Sequence, residues 1–170
     1  YAKDNKQVYF QDKVVQGADA ATFFTYKDNS HVGQDKTCVY YDGQPRELKD
    51  YRLLTPSNIN DDYYTYGQSV YNFELLKMPS GTDLKHLQSL DYTDWSKDLH
   101  HVYWKNKVVK GADPATFKPM PSLLLTVDSS DDNDKDSDYG RDATHIYYRE
   151  VMLKDADYNS FTCGWDAQEQ

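Results

Sequence analysis

One phrase occurs twice in this chain at full length. YAKDNKQVYFQDKVVQGADAATF runs from Tyr1, and WSKDLHHVYWKNKVVKGADPATF runs from Trp95. The two share D-x-x-x-V-Y and K-V-V-x-G-A-D-x-A-T-F at identical spacing. A third copy, YGRDATHIYYREVMLKDADYNSF, starts at Tyr139. VGQDKTCVYYDGQPRELKDYRLL from Val32 is weaker, and YGQSVYNFELLKMPSGTDLKHL from Tyr66 is one residue shorter and degenerate. Repeats starting near 1, 32, 66, 95 and 139 dictate a modular fold, because a period near 30 residues is one supersecondary unit used several times.

Each unit reads alike. A short extended piece meets an Asp-led turn (Asp4, Asp35, Asp98, Asp142), where a carboxylate bonds the backbone two residues on. A β-rich run follows: Val8-Tyr9-Phe10, Val39-Tyr40-Tyr41, Val102-Tyr103-Trp104 and Ile146-Tyr147-Tyr148. A tight turn and a short return strand such as Val14-Val15 or Val108-Val109 come next. A second Asp series (Asp19, Asp50, Asp83, Asp113, Asp157) then stands at the N-cap of about one helical turn, with Pro114 at the first helical position after Asp113. A meander of this size cannot bury its apolar face alone, so copies must pack side by side. The expected fold is mainly β: about five short β-meander repeats in tandem, each closed by a single helical turn, packed into one body over residues 1–170.

Leu, Ile, Val and Phe supply only 32 of the 170 residues, about 19%. With a net charge of −9, that sits near the composition of disordered chains. The 16 Tyr and 3 Trp restore a core, which must be aromatic and half-polar. No apolar run approaches the ~20 residues of a membrane helix. The acidic balance argues against nucleic acid, whose phosphates need a basic face, and favours a basic partner. Because the chain begins at Tyr1 with neither an initiator Met nor a signal-peptide pattern, a processed or trimmed form is expected.

The repeat words resemble those of the DKNYY family of bacterial proteins, whose units read approximately YAKDKNxVYYNGKxIxGADxxTF. The resemblance is closest at residues 1–23 and 95–117, good at 139–161 and partial at 32–54. It implies an extracytoplasmic protein, periplasmic or in the cell envelope, some relatives acting as immunity partners of secreted effectors.

Among candidate residues, both Asp series read as structural, one capping and one turning. The Tyr9, Tyr40, Tyr103, Tyr147 column lies opposite the Val/Ile positions on its strands. Either its rings pack on the neighbouring repeat with the hydroxyl wet, or they line an exposed edge. On the second reading Tyr103, Trp104, Tyr147 and Tyr148 are the partner-binding anchors. Cys38, His101 and His145 share one register position, but no close ligand spacing concentrates them into a metal site. Cys38 and Cys163 permit one disulfide. The 128–138 segment, DSSDDNDKDSD, holds −5 of the net charge and falls in the longest interval between repeats. Its alternating Asp132, Asp134, Asp136 and Asp138 are weak calcium candidates that lack the late Glu of a calcium loop, or steering charges for a partner. There is no Gly-x-Ser-x-Gly and no Gly-rich phosphate loop, so no catalytic residue and no cofactor is assigned.

The expected function is that of a non-enzymatic protein-binding module, an immunity-type inhibitor of a secreted toxin with a basic surface. The alternatives are a calcium- or glycan-binding surface module, and an enzyme whose site is assembled across repeats.

Overall fold

A computed structural model describes residues 1–57, 62–90, 94–120 and 138–163. Every sheet in it is small and antiparallel. β1 (Ala2–Lys3), β2 (Val8–Phe10) and β3 (Lys13–Val14) form the first, three-stranded meander. The second is four-stranded: β4 (Phe24–Tyr26), β5 (Asn29–Gln34), β6 (Val39–Tyr41) and β7 (Gln44–Arg46). β8 (Thr55–Pro56), β9 (Tyr63–Tyr66) and β10 (Ser69–Asn72) make the third. β11 (Gln88–Ser89), β12 (Trp95–Lys97), β13 (Val102–Trp104) and β14 (Lys107–Val108) make the fourth. β15 (Lys118–Pro119), β16 (Tyr139–Arg141), β17 (Ile146–Tyr148) and β18 (Val151–Met152) make the fifth. The fold is mainly β, a tandem series of meanders.

Two details differ from the expectation. The residues after a closing turn add an edge strand (β4, β8, β11, β15) to the next meander, because once the turn ends at Phe23 or Phe117 the chain runs extended beside the first strand of the following copy. In the third repeat the first strand begins at Tyr63, ahead of the Tyr66 where the sequence match starts. There the turn has the same length but reads Tyr66-Gly67-Gln68-Ser69, so Tyr66 stands where the other copies have Asp.

The closing turns form as the Asp caps require. The carboxylates of Asp19, Asp50, Asp83, Asp113 and Asp157 each accept the N–H two residues on, at 2.9–3.2 Å. The tight turns between the second and third main strands place Gln11, Asp42, Lys105 and Arg149 in the left-handed region, with φ of 47–54°. Polar side chains at these four matching positions tolerate that conformation better than branched ones would.

The chain divides into two compact units, Tyr1–Met78 and Pro79–Gln170, the division falling inside the third repeat. The cores within each unit lie between copies. In the first unit Val8, Val15, Ala20 and Phe23 of the first repeat are closed by Tyr40 of the second. Val32, Val39 and Leu48 of the second repeat are closed by Tyr71 and Leu75 of the third. In the second unit Trp95, Val102, Trp104, Val109 and Phe117 of the fourth repeat are closed by Tyr147 of the fifth. The Val/Ile position of a β-run therefore completes its own repeat, and the Tyr beside it, as at Tyr40, Tyr71 and Tyr147, completes the one before. A period-2 strand with both faces covered is the physical reason a phenol-rich sequence folds at all.

Candidate functional site

The repeated Asp-x-x-x-(Val/Ile)-Tyr word builds a polar latch at three junctions. Asp35 Oδ1 accepts the backbone N–H groups of Thr37 at 2.7 Å and Cys38 at 2.9 Å, which is the local turn. Asp35 Oδ2 accepts the Tyr40 hydroxyl at 3.1 Å and the backbone N–H of Asp19, in the preceding repeat, at 2.9 Å. Asp98 repeats this with His100 and His101 (both 2.7 Å), Tyr103 (2.7 Å) and Asp83 N–H (3.0 Å). Asp142 repeats it with Thr144 and His145 (both 2.8 Å), Tyr147 (2.8 Å) and Asp113 N–H (3.1 Å). All three carboxylates are buried, at 1–3% exposure.

Burial alone raises a carboxyl pKa, but here the donors outweigh it. The N–H groups of Asp19, Thr37 and Cys38 bring Asp35 down to about 2. At Asp142 burial is likewise outweighed by Thr144, Tyr147, Asp113 and His145, and its pKa is about 2. Asp98 is lowered against burial by Tyr103, Asp83, His100 and His101. Burial and the adjacent carboxylate push the Tyr40 and Tyr147 hydroxyls well above the ordinary phenol range. Each latch therefore holds an ionised Asp against a neutral Tyr, a charge-assisted pair with its remaining acceptors filled by backbone N–H.

The junction between the second and third repeats is built differently, since Tyr66 replaces the latch Asp. Tyr71 keeps its place over the preceding core and donates instead to Glu47 O at 3.4 Å. In the first repeat Asp4 makes the same local turn, accepting Lys6 N–H and Gln7 N–H at 2.7 Å and the Tyr9 hydroxyl at 3.3 Å. Asp4 is exposed and Tyr9 half-exposed.

A second contact is matched in register. Gly33 pairs with Tyr40, Gly140 with Tyr147, Ser96 with Tyr103 and Ala2 with Tyr9. A Cβ on Gly33 would lie 2.2 Å from Phe23 Cζ, and one on Gly140 would lie 2.2 Å from Phe117 Cζ. The Phe that ends one repeat thus points the tip of its ring end-on at the Gly of the next. Before Ser96 the corresponding residue is Leu87, so the larger side chain on one wall goes with the smaller on the other.

The expected anchors divide. Tyr103, Trp104 and Tyr147 are buried rather than edge-exposed, at 1%, 5% and 0%. Their rings are spent on packing within the unit, so they offer no surface to a partner, and the expected wet hydroxyls of Tyr103 and Tyr147 point onto Asp98 and Asp142. Tyr148 is half-buried between Tyr139, 5.0 Å away, and the Arg149 guanidinium, 5.1 Å from its ring. Asp132, Asp134 and Asp136 lie outside the described residues. Asp138 is committed to Arg149, accepting from Nε at 2.9 Å and lying 2.7 Å from Nη2. Asp94 and Lys105 form the equivalent pair at 3.3 Å in the fourth repeat. Asp138 is therefore a repeated anchor at the foot of the acidic segment.

Sequence reasoning missed the surface residues that do stand out. Phe24, Tyr66 and Phe73 in the first unit are 44–48% exposed. Phe24 leans on Tyr26 at 5.4 Å, and Tyr26 on Tyr51 at 4.8 Å, so an aromatic run reaches the surface along β4. The signal was present in the doubled Phe23-Phe24, where the first Phe is taken by the repeat and the second is left over. His101 and His145 are exposed, each Nδ1 3.7–3.8 Å from its latch Asp. Among the described residues no group of three His, Cys, Asp or Glu side chains converges for a metal ion. No disulfide joins Cys38 to Cys163. A 380 Å³ cavity by Thr116, Lys118, Met120, Arg141 and Tyr158 involves none of His100, His101 and His145.

No curated protein and no solved structure matches this chain. The family model described as "DKNYY family" matches residues 1–135, which include the latches of Asp35 and Asp98. With most of its length matched and the repeat word traced to a structural part, the chain belongs to the DKNYY family.

Proposed function

We propose that this chain is a non-enzymatic protein-binding module, an immunity-type inhibitor that covers a secreted bacterial toxin of basic surface in an extracytoplasmic compartment. The observation that carries the reading is the division of labour among aromatic rings. The repeat Tyr side chains close cores, while Phe24, Tyr66 and Phe73 remain on the surface of a chain whose net charge is −9. Exposed aromatic anchors on an acidic body suit a basic partner: the rings supply contact area and the charge speeds encounter.

Co-expression with the effector encoded beside its gene is the test. The wild-type chain restores growth and co-purifies with the effector. Phe24→Ala weakens the complex by tenfold or more while leaving the thermal midpoint unchanged, and added salt slows association. Absence of any complex at low salt, with growth unrescued, refutes the reading.

A further inference from the structure

The residue before the Asp of each Asp-led turn serves the closing turn of its own repeat. Lys3 Nζ donates to Ala20 O and Phe23 O, both at 2.8 Å, and Lys97 Nζ donates to Pro114 O at 2.9 Å. Gln34 does so through Lys49 O at 3.4 Å and the Tyr51 N–H at 3.1 Å. In the fifth repeat Arg141 holds this position, and Tyr158 holds that of Ala20 and Pro114. There the guanidinium lies over the Tyr158 ring, 4.1 Å from its centre. Among the described residues no acceptor takes its N–H groups. The Tyr158 hydroxyl donates to Asp142 O at 2.8 Å, which fixes the ring beneath the cation.

Lys118 on β15 stands directly opposite Arg141. The matching pairs in other copies are Phe24 with Gln34 and Gln88 with Lys97. Two cations thus face each other across the ladder, where like charges repel. Neither forms an ion pair with a carboxylate among the described residues, in a chain whose net charge is −9. Both line the 380 Å³ cavity. Its other polar groups are taken up within the protein. Thr116 Oγ1 donates to Asp113 at 2.8 Å and accepts the Ala143 N–H at 3.1 Å. The Asp142 carboxylate holds Thr144, His145, Tyr147 and Asp113 N–H. What stays unmatched is donor capacity on two cations, beside the apolar surface of Met120 and the Tyr158 ring.

We propose that the Lys118–Arg141 cavity binds a small organic oxyanion, a carboxylate or phosphate carried on an apolar body. The oxyanion meets the Arg141 N–H groups, whose fork matches its geometry, and takes Lys118 as a second point charge. The body of the ligand rests on Met120 and Tyr158. The volume suits a small molecule, since ligand sites run from roughly 300 Å³ upward. A bound anion also offsets the repulsion between the paired cations, so occupancy stabilises the fold by mass action. This site is independent of any protein partner of the first unit's exposed rings.

Calorimetric titration of the full chain at low salt tests this, with benzoate, phenyl phosphate and inorganic phosphate as probes and benzyl alcohol as the neutral control. At least one of the two organic anions binds saturably, more tightly than inorganic phosphate, and raises the thermal midpoint. Benzyl alcohol does neither. Benzoate alone marks a carboxylate site and phenyl phosphate alone a phosphate site. Arg141→Gln and Lys118→Gln each weaken that binding by about tenfold or more. Lys110→Gln, which removes an exposed cation elsewhere in the same unit, leaves it unchanged. Free of ligand, both cavity variants melt at or above the wild-type midpoint, because each relieves the like-charge pair. Any of four results would overturn the proposal: no binding of either organic anion at millimolar concentration, equal binding of benzyl alcohol, equal binding of inorganic phosphate, or undiminished binding in either cavity variant.

Discussion

Tyr40 does two jobs with one side chain: its hydroxyl binds Asp35 of its own repeat at 3.1 Å, and its ring closes the core of the repeat before. The same pairing joins Tyr103 to Asp98 and Tyr147 to Asp142. Local turn chemistry and coupling between copies are thereby the same interaction. A repeat that formed without its predecessor would leave the ring wet and the carboxylate short of a donor.

The cost of breaking a latch follows from burial. Tyr147→Phe keeps the ring in its core but leaves buried Asp142 one donor short, and is expected to lower stability by about 1–3 kcal/mol in urea unfolding. Tyr147→Ala also empties the core and costs about 3–5 kcal/mol. Tyr9→Phe, at the exposed copy of the same site, changes stability by less than about 0.5 kcal/mol. Equal effects at Tyr9 and Tyr147 would contradict the assignment.

Acid and alkali act on opposite partners of the latch. Asp35 and Asp142 have folded pKa values of about 2 against an unfolded value near 3.9. Their contribution, about 2 kcal/mol each, is fully present above pH ~4 and is lost as pH falls towards 2. The Tyr40 and Tyr147 hydroxyls are shifted upward, so their contribution is present below pH ~10 and is lost as pH rises beyond it. Urea midpoints measured across pH should show both flanks, and Asp142→Asn should flatten the acid one. An acid flank that is unchanged in that variant assigns the dependence elsewhere.

The end-on contact of Phe with Gly gives a paired expectation. Gly140→Ala drives a methyl into Phe117 and costs about 1–3 kcal/mol. At the matching position of the fourth repeat the Ser96 hydroxyl is buried with no hydrogen-bond partner among the described residues. Ser96→Ala relieves that and should raise stability by about 1 kcal/mol. Thermal melts of the two variants should move in opposite directions.

Much of the architecture was legible because the repeat states it. The Asp caps and Asp-led turns are read from residue type and position alone, as is the meander. The covering of the second strand face was not. A Tyr opposite a Val is compatible with an exposed edge or with a neighbour's core, and only the register of Tyr40 on Asp35 and Asp19 decides between them. The edge strand at Phe24–Tyr26 escaped notice because it begins where the repeat word ends. Asp138 read as one of an acidic run, since nothing in the sequence reveals that Arg149 lies across the hairpin from it.

Hydrogen exchange at the cap residues tests the central claim most directly, because one backbone amide reports each junction. The amides of Asp19, Asp83 and Asp113, donated to the next repeat's carboxylate, should exchange slowly, as core strands do, and Asp142→Asn should accelerate Asp113 alone. The amide of Asp157, with the same local turn and no following latch among the described residues, should exchange fast. Fast exchange at Asp19, Asp83 and Asp113, matching Asp157, would contradict the view that the repeated Asp and Tyr join one copy to the next.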